Sequence, residues 1–237
     1  MTVPPKALIF DLDGVLVNSE PLHRRTWLEA FAEQGVQIDD RDVHQFQGRT
    51  AEQVVKWLES RPGRTQQPID TPQLVLRKRQ LYLGVIGSEL EAVAGVDEFL
   101  RAQKGKFGLG LVTSSALKTV GQVMLAFNWR NIFEALVGAE HVTNPKPHPE
   151  PYLQVANRFK AHPSECLVFE DSAVGIESAV AAGARVCGVG TTLGAKELKT
   201  LGASFTIQDF RDLEALEAAL SGTKPKRLFS WMGRGSR

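Results

Sequence analysis

Six short runs rich in valine, isoleucine, leucine and phenylalanine recur along this chain: ALIF (7–10), FGLGLVTS (107–114), ALVGAE (135–140), CLVFED (166–171), ARVCGVG (184–190) and SFTIQDF (204–210). They lack the alternation of a half-exposed strand and read as strands of a parallel sheet buried on both faces. Between them, apolar residues recur at helical spacing: Leu117, Val120, Val123, Met124 and Phe127, then Tyr152, Leu153, Ala156 and Phe159, then Val174, Ile176, Ala179 and Val180. Strand alternating with helix predicts an α/β fold, a Rossmann-like parallel sheet flanked by helices. Open sheets of this kind bind ligands beyond the carboxyl ends of their strands, where Asp11, Thr113 and the Glu170–Asp171 pair all fall.

One segment interrupts the alternation. From about residue 20 to 86 only helical patterns occur: one after Ser19 and Pro21 with Gly35 past its end, one opened by the capping-box spacing Thr50-Ala-Glu-Gln53, and one that follows Thr71-Pro72 and runs through Tyr82. The length of 237 residues allows a core with such an insertion. The expected division is an α/β core from 1–18 and 88–223, an all-helical cap domain from 19–87, and a basic tail from 224–237. Hinges are expected near 17–20 and 83–94, and SRPGRTQQP (60–68) reads as a loop inside the cap.

The first run ends in IFDLDGVLVNSE, with Asp11 and Asp13 separated by one leucine. Two anions aimed at one point repel, and burial raises the cost of each. A hard divalent cation resolves the conflict, and Mg²⁺ favours carboxylate and carbonyl oxygens together with water and phosphate. FEDSAVGI repeats the logic, with Glu170 or Asp171 supplying a further ligand and Ser172 a candidate helix cap. Thr113, with Ser114 and Ser115 behind it, could bind a phosphoryl oxygen or serve as an ordinary cap. Lys146 in NPKPHPEPY is framed by prolines that restrict its backbone, which a Pro-rich turn before a helix at Glu150 explains equally well.

Taken in order, DLDGVLVNSE, VTSS, NPKPHPEPY and FEDSAVGIESAVAAGA on this scaffold resemble the haloacid dehalogenase-like superfamily of phosphotransferases over roughly residues 6 to 220. The helical insertion resembles the type-one cap of its β-phosphoglucomutase and phosphoglycolate phosphatase branch. The resemblance implies Asp11 as nucleophile, forming an aspartyl-phosphate, and Asp13 as the acid and base that serves the leaving oxygen and then water. It implies Mg²⁺ held by Asp11, the Asp13 carbonyl and Asp171, with Glu170 a direct or outer contributor. Thr113, Ser114 and Lys146 would bind the phosphoryl group. Dehalogenases of the superfamily usually lack an acid two residues after the nucleophile, so Asp13 argues for phosphate esters.

Specificity would come from the cap. His23 in NSEPLH resembles the histidine of sugar-phosphate members that couples substrate binding to cap closure, and Arg49 and Lys78 are placed to meet a polar or anionic group. The expected function is an Mg²⁺-dependent phosphatase of a small phosphorylated metabolite, above all a sugar phosphate. A β-phosphoglucomutase-like phosphomutase is the alternative, and a binding or regulatory protein using the basic tail is a third. A net charge of +1, from 28 Lys and Arg against 27 Asp and Glu, gives no electrostatic reason for nucleic acid or membrane partners. The expectation is a cytoplasmic monomer, although a trimmed organelle-targeting segment would leave no trace. Cys166 and Cys187 read as buried free thiols. The histidines have no zinc-site spacing, and GVGTTLG (188–194) reads as a strand-end turn.

Overall fold

The computed structural model describes residues 4–46, 49–61 and 69–223, with nothing stated for the side chains of Asp40 and His44. The basic tail and most of the 60–68 loop lie outside the described residues. Each of the six apolar runs forms a strand: β1 (Ala7–Phe10), β2 (Gly108–Val112), β3 (Ala135–Val137), β4 (Cys166–Glu170), β5 (Arg185–Val189) and β6 (Phe205–Ile207). They make one parallel sheet in the order β3-β2-β1-β4-β5-β6. The central strand β1 pairs on both sides, with Phe10 in register with Leu111 and with Phe169. The residues that follow these three positions therefore emerge side by side on one rim.

Side chains alternate between the two faces of the sheet. Leu8, Phe10, Leu111 and Phe169 pack beneath α5 (Val96–Gln103), α6 (Leu117–Ala126) and α10 (Leu213–Ser221), while Ile9, Val112 and Val168 face α7 (Glu150–Arg158), α8 (Ala173–Ala181) and α9 (Ala195–Thr200). Phe10 and Phe169 stack at 4.7 Å between ring centroids, with Phe99, Phe133 and Phe210 around them. Two helix faces differ from the sequence reading. Leu153 and Val180 are exposed, because the stripes turned to the sheet are Tyr152, Val155 and Ala156 on α7 and Ile176 and Ala179 on α8. Both cysteines are free and buried, and burial pushes the Cys166 thiol up to about 11, so neither is poised to react.

Between β1 and α5 the chain forms α1 (Glu20–Glu33), α2 (Asp40–His44), α3 (Ala51–Glu59) and α4 (Thr71–Glu89). The short α2 has no counterpart in the sequence reading, and α4 continues beyond Tyr82 to Glu89. This block has its own apolar cluster, built on Trp27, Phe31, Phe46, Leu58 and Leu74. Leu22, Tyr82 and Ile86 join the main core instead, which fastens the lower ends of α1 and α4 to it. The chain leaves and returns through adjacent strands of backbone: Asn18 N–H donates to Glu91 O at 2.8 Å and Val93 N–H to Leu16 O at 3.0 Å. Among the described residues no helix is long and apolar enough to cross a membrane.

The Phe10–Phe169 stack lies directly beneath the functional rim. Truncation of Phe169 to alanine is expected to destabilise the protein by about 3–5 kcal/mol through lost burial and a residual cavity, read as a lower urea midpoint at unchanged slope.

Candidate active site

The rim is organised around one buried ammonium. Lys146 Nζ lies 2.7 Å from Asp11 Oδ1 and 2.5 Å from Glu170 Oε1. Tyr152 OH donates to the same Glu170 oxygen at 2.7 Å. The other oxygen, Oε2, accepts from the backbone N–H groups of Asp171 and Ser172 at 3.0 and 3.1 Å and from Ser172 Oγ at 3.1 Å. Glu170 thus uses both oxygens to anchor Lys146 and the turn into α8. That turn is tight: a Cβ on Gly175 would sit 1.8 Å from Glu170 Oε1.

Asp171, the next residue, points toward the loop after β1. It accepts a hydrogen bond from Thr192 Oγ1, and a Cβ on Gly14 would lie 1.8 Å from its Oδ2. Gly14 also has φ of +77°, so only glycine meets both demands. Thr191 Oγ1 donates to the Gly14 carbonyl at 2.5 Å, so the segment after β5 grips the loop after β1.

Asp13 belongs to a different network. Its Oδ1 accepts from Ser19 Oγ at 2.7 Å and contacts His23 Nε2 at 2.9 Å, and its Oδ2 accepts from Ser115 Oγ at 2.8 Å. Lys78 Nζ stands 2.7 Å from His23 Nδ1. With the ammonium donating to Nδ1, the ring proton is on Nε2 and donates to Asp13, giving a chain from Lys78 through His23. The imidazole stacks on Tyr82 at 4.2 Å, and Lys78 Nζ lies 5.2 Å from the Trp27 ring centroid. Ser19 occupies the N-cap position of α1, but its hydroxyl serves Asp13 instead of the helix.

A cavity of about 450 Å³ opens above these groups, lined by Asp11, Asp13 and Asp171 on the sheet side and by His23, Arg49 and Lys78 on the helical side. Ser114 lines it as well. Thr113 is buried below, its Oγ1 accepting from Ser115 N–H at 2.9 Å, so its hydroxyl shapes the turn. Arg49 Nε donates to Gln45 O at 2.9 Å. The structure therefore gathers Asp11, Lys146, Glu170 and Asp171 in one cluster and Asp13, His23 and Lys78 in a second, with Ser114 and Arg49 on the cavity wall.

The environments drive the two aspartates apart. Burial raises Asp11, and Glu170 and Asp13 add to it while Lys146 opposes, for a net shift from 3.8 to about 8. Burial also opposes ionisation of Asp13, but the His23 ring and the hydrogen bonds from His23, Ser19 and Ser115 outweigh it and hold the carboxyl well below the usual range. Burial raises Asp171 well above that range, reinforced by Glu170 and Asp11. Lys146 remains charged, because Asp11 and Glu170 overcome its desolvation, whereas burial lowers Lys78 to about 8 against the pull of Asp13 and Glu20. Oxygens of Asp11, Glu170 and Asp171 lie within 4.8 Å of one another, so three carboxyl groups face one ammonium. A hard divalent cation suits the all-oxygen donors and would offset the negative charge of ionising all three.

Three residues of the site are not singled out by a linear reading. Tyr152 reads as part of an apolar helix face, Thr192 as part of a strand-end turn, and Gln53 as a helix cap. Thr192 had one available signal: it follows the carboxyl end of a parallel strand, on the same rim as the acids.

A family model described as haloacid dehalogenase-like hydrolase matches residues 8–189. Among curated proteins, a fructose-1-phosphate phosphatase of Escherichia coli K12 is 29% identical over 180 residues, covering 74% of this chain and 92% of the relative. Hexitol phosphatase B of the same organism is 31% identical over 179 residues, covering 74% and 79%. The fold superposes on a β-phosphoglucomutase of Clostridium difficile with a TM-score of 0.78 at 23% identity, covering 92% and 98% of the two chains.

The shifted acids link the site to stability. Asp11 has a folded pKa raised to about 8 from 3.8, so the stability it contributes is fully present below about pH 4 and is lost as pH rises through about 8. A divalent cation favours the ionised carboxylates and binds the folded state. Its stabilising effect, measured by calorimetry against a chelator control, is expected to grow from pH 5 to pH 8 and to be largely lost in Asp171→Asn.

Proposed function

The chain belongs to the haloacid dehalogenase-like hydrolases and is a phosphatase of that family, and we propose that it hydrolyses a small sugar-type phosphate through a phosphoryl group carried on Asp11. The observation that carries this reading is the buried Asp11–Lys146 pair, whose Asp11 lines the same cavity as Asp13. A volume of about 450 Å³ suits a small metabolite. Two of the curated relatives are named as a fructose-1-phosphate phosphatase and a hexitol phosphatase. The wall favours the same class: it mixes Arg49, Lys56, Lys78 and Arg79 with Glu20, Glu52 and Glu140, a set able both to pair with an anion and to accept from several hydroxyls.

The roles follow from position. Asp11 attacks phosphorus, and Lys146, fixed by Glu170 and Tyr152, neutralises charge on the phosphoryl oxygens. Asp13 passes a proton to the leaving oxygen and takes one from the water that releases phosphate. Because Asp13 rests as an anion, His23 Nε2, 2.9 Å away and backed by Lys78, supplies the proton that Asp13 first gives, and the proton later taken from water returns along the same path. Mg²⁺, held by Asp11, Asp171 and the Asp13 carbonyl, would offset the repulsion between Asp11 and the incoming phosphate. Glu170 contributes by placing Lys146, with Ser114 and the Thr113 turn framing the phosphoryl pocket. Residues 19–87 serve as a cap domain whose His23, Arg49 and Lys78 meet the rest of the substrate and exclude water.

Phosphate release from fructose 1-phosphate, hexitol phosphates, phosphoglycolate and nucleotides, with Mg²⁺ or chelator, tests this. Turnover is expected to require the metal, to vanish in Asp11→Asn and to fall about 10²–10⁴-fold in Asp13→Asn. Conversion of glucose 1-phosphate to glucose 6-phosphate with a bisphosphate primer, without release, would replace the phosphatase reading by a phosphomutase. Ligand binding with no chemistry on any phosphate would replace both.

A second expectation concerns pH. Because Lys78 loses its proton near pH 8, kcat/KM is expected to decline as pH rises through that value. Lys78→Arg, which stays charged, should move the decline upward in a full pH–rate profile.

A further inference from the structure

At the mouth of the cavity one side chain of the helical block is bonded to the backbone of the α/β core. Gln53 is the third residue of α3, and its amide has two partners. Its Oε1 accepts from Thr50 N–H at 2.8 Å, completing the capping box in which Thr50 Oγ1 accepts from Gln53 N–H at 3.3 Å. Its Nε2 donates to the carbonyl of Lys146 at 2.9 Å, across 93 residues of sequence. Glutamate would cap α3 as well as glutamine does and would suit the helix dipole better. Of the two, the amide alone can accept from Thr50 and donate to Lys146 at once, since an ionised carboxylate has no proton to donate.

The recipient of that bond is the residue on which the acid cluster depends. The ammonium of Lys146 is fixed by Asp11 and Glu170, and its carbonyl is fixed by Gln53. Because Gln53 is itself locked by the capping box, the turn carrying Arg49 and Thr50 is held in register with the phosphoryl-binding lysine. Gln53, Thr50 and Arg49 line the same cavity as Asp11 and Asp13. We propose that Gln53 is a positioning residue, a latch that holds the helical block against the Lys146 turn while the phosphoryl group is transferred. The role of the latch in turnover rests on the phosphatase reading; its mechanical role does not.

Gln53→Glu separates the two bonds, since a carboxylate still caps α3 but faces the Lys146 carbonyl without a proton to donate. Gln53→Ala removes both. Distances are measured in the full chain by paired spin labels at Glu59→Cys on α3 and Arg158→Cys on α7, both exposed positions. Cys166 and Cys187 are buried and stay unlabelled. With orthovanadate as the phosphate-like probe, the Gln53 protein is expected to give one short distance population and Gln53→Glu a second, longer one at an unchanged unfolding temperature. In parallel, kcat/KM for the best phosphate ester is expected to fall about tenfold, as befits loss of one partly buried hydrogen bond, with kcat and KM both changed.

Identical distance distributions in the two proteins would overturn the latch whatever the kinetics. A widened distribution with unaltered kcat and KM would overturn its part in positioning. Widening in a protein that turns over no phosphate would uphold the mechanical latch and count against the phosphatase reading alone.

Discussion

A protonated lysine held between two carboxylates in a dry rim is the interaction on which this structure is arranged. Burying any one of these charges alone would be prohibitive, and removal of one partner from a buried pair is far more damaging than the pair's net worth suggests. The fold answers with geometry: Phe10 is in register with Phe169, so the next residues on β1 and β4 bring Asp11 and Glu170 to either side of the Lys146 ammonium. The start of α7 then adds Tyr152, and the start of α8 adds Ser172 and two backbone N–H groups. Glu170 is consumed by these partners, which leaves Asp11 and Asp171 as the acids that a bound cation would ionise.

Two aspartates one residue apart meet opposite surroundings. Asp11 faces other acids and is pushed toward its neutral form, while Asp13 collects three donors and is held as an anion. Divergence of this kind separates the tasks of neighbouring carboxyl groups, and here the proposed tasks require a cation to ionise Asp11 and His23 to protonate Asp13. The donors to Asp13 come from both layers: Ser115 from the turn after β2, Ser19 and His23 from the first turn of the helical block and its approach. Asp13 is thus the point at which the acid–base chemistry of the rim touches the part of the molecule that contacts the remainder of a substrate.

Much of the scaffold was legible in the sequence because its signals are local and redundant. A buried parallel strand needs several β-branched or aliphatic residues in succession, and all six runs, ALIF through SFTIQDF, declared themselves that way. The α3 capping box was legible because Thr50 and Gln53 are three residues apart. The short α2 lacks an apolar stripe long enough to show a period, and Leu153 and Val180 read as members of buried faces because aliphatic residues next to a stripe are indistinguishable in type from those within it. The acids and Lys146 were candidates on residue type and spacing, but nothing linear specifies that Glu170 and not a solvent molecule receives Tyr152, or that Thr192 reaches Asp171.

What remained hidden has a common physical cause: a polar side chain usually has more than one hydrogen-bonding atom or lone pair, and sequence reports only the local use. Ser172 was readable as a cap, since its oxygen accepts from Gly175 N–H, yet the same hydroxyl donates to Glu170. Thr113 was readable as a strand-end hydroxyl, yet its oxygen is taken by the turn to Ser115, whose own hydroxyl goes to Asp13. Gln53 caps with one amide atom and crosses to the core with the other. Each local bond orients the side chain so that its second atom has a fixed direction, and that direction acquires a meaning only when the sheet order has brought a partner to meet it. Local capping chemistry thereby does more than end a helix in this protein: it aims the donors that bind the helical block, the phosphoryl-binding lysine and the acid cluster into one site.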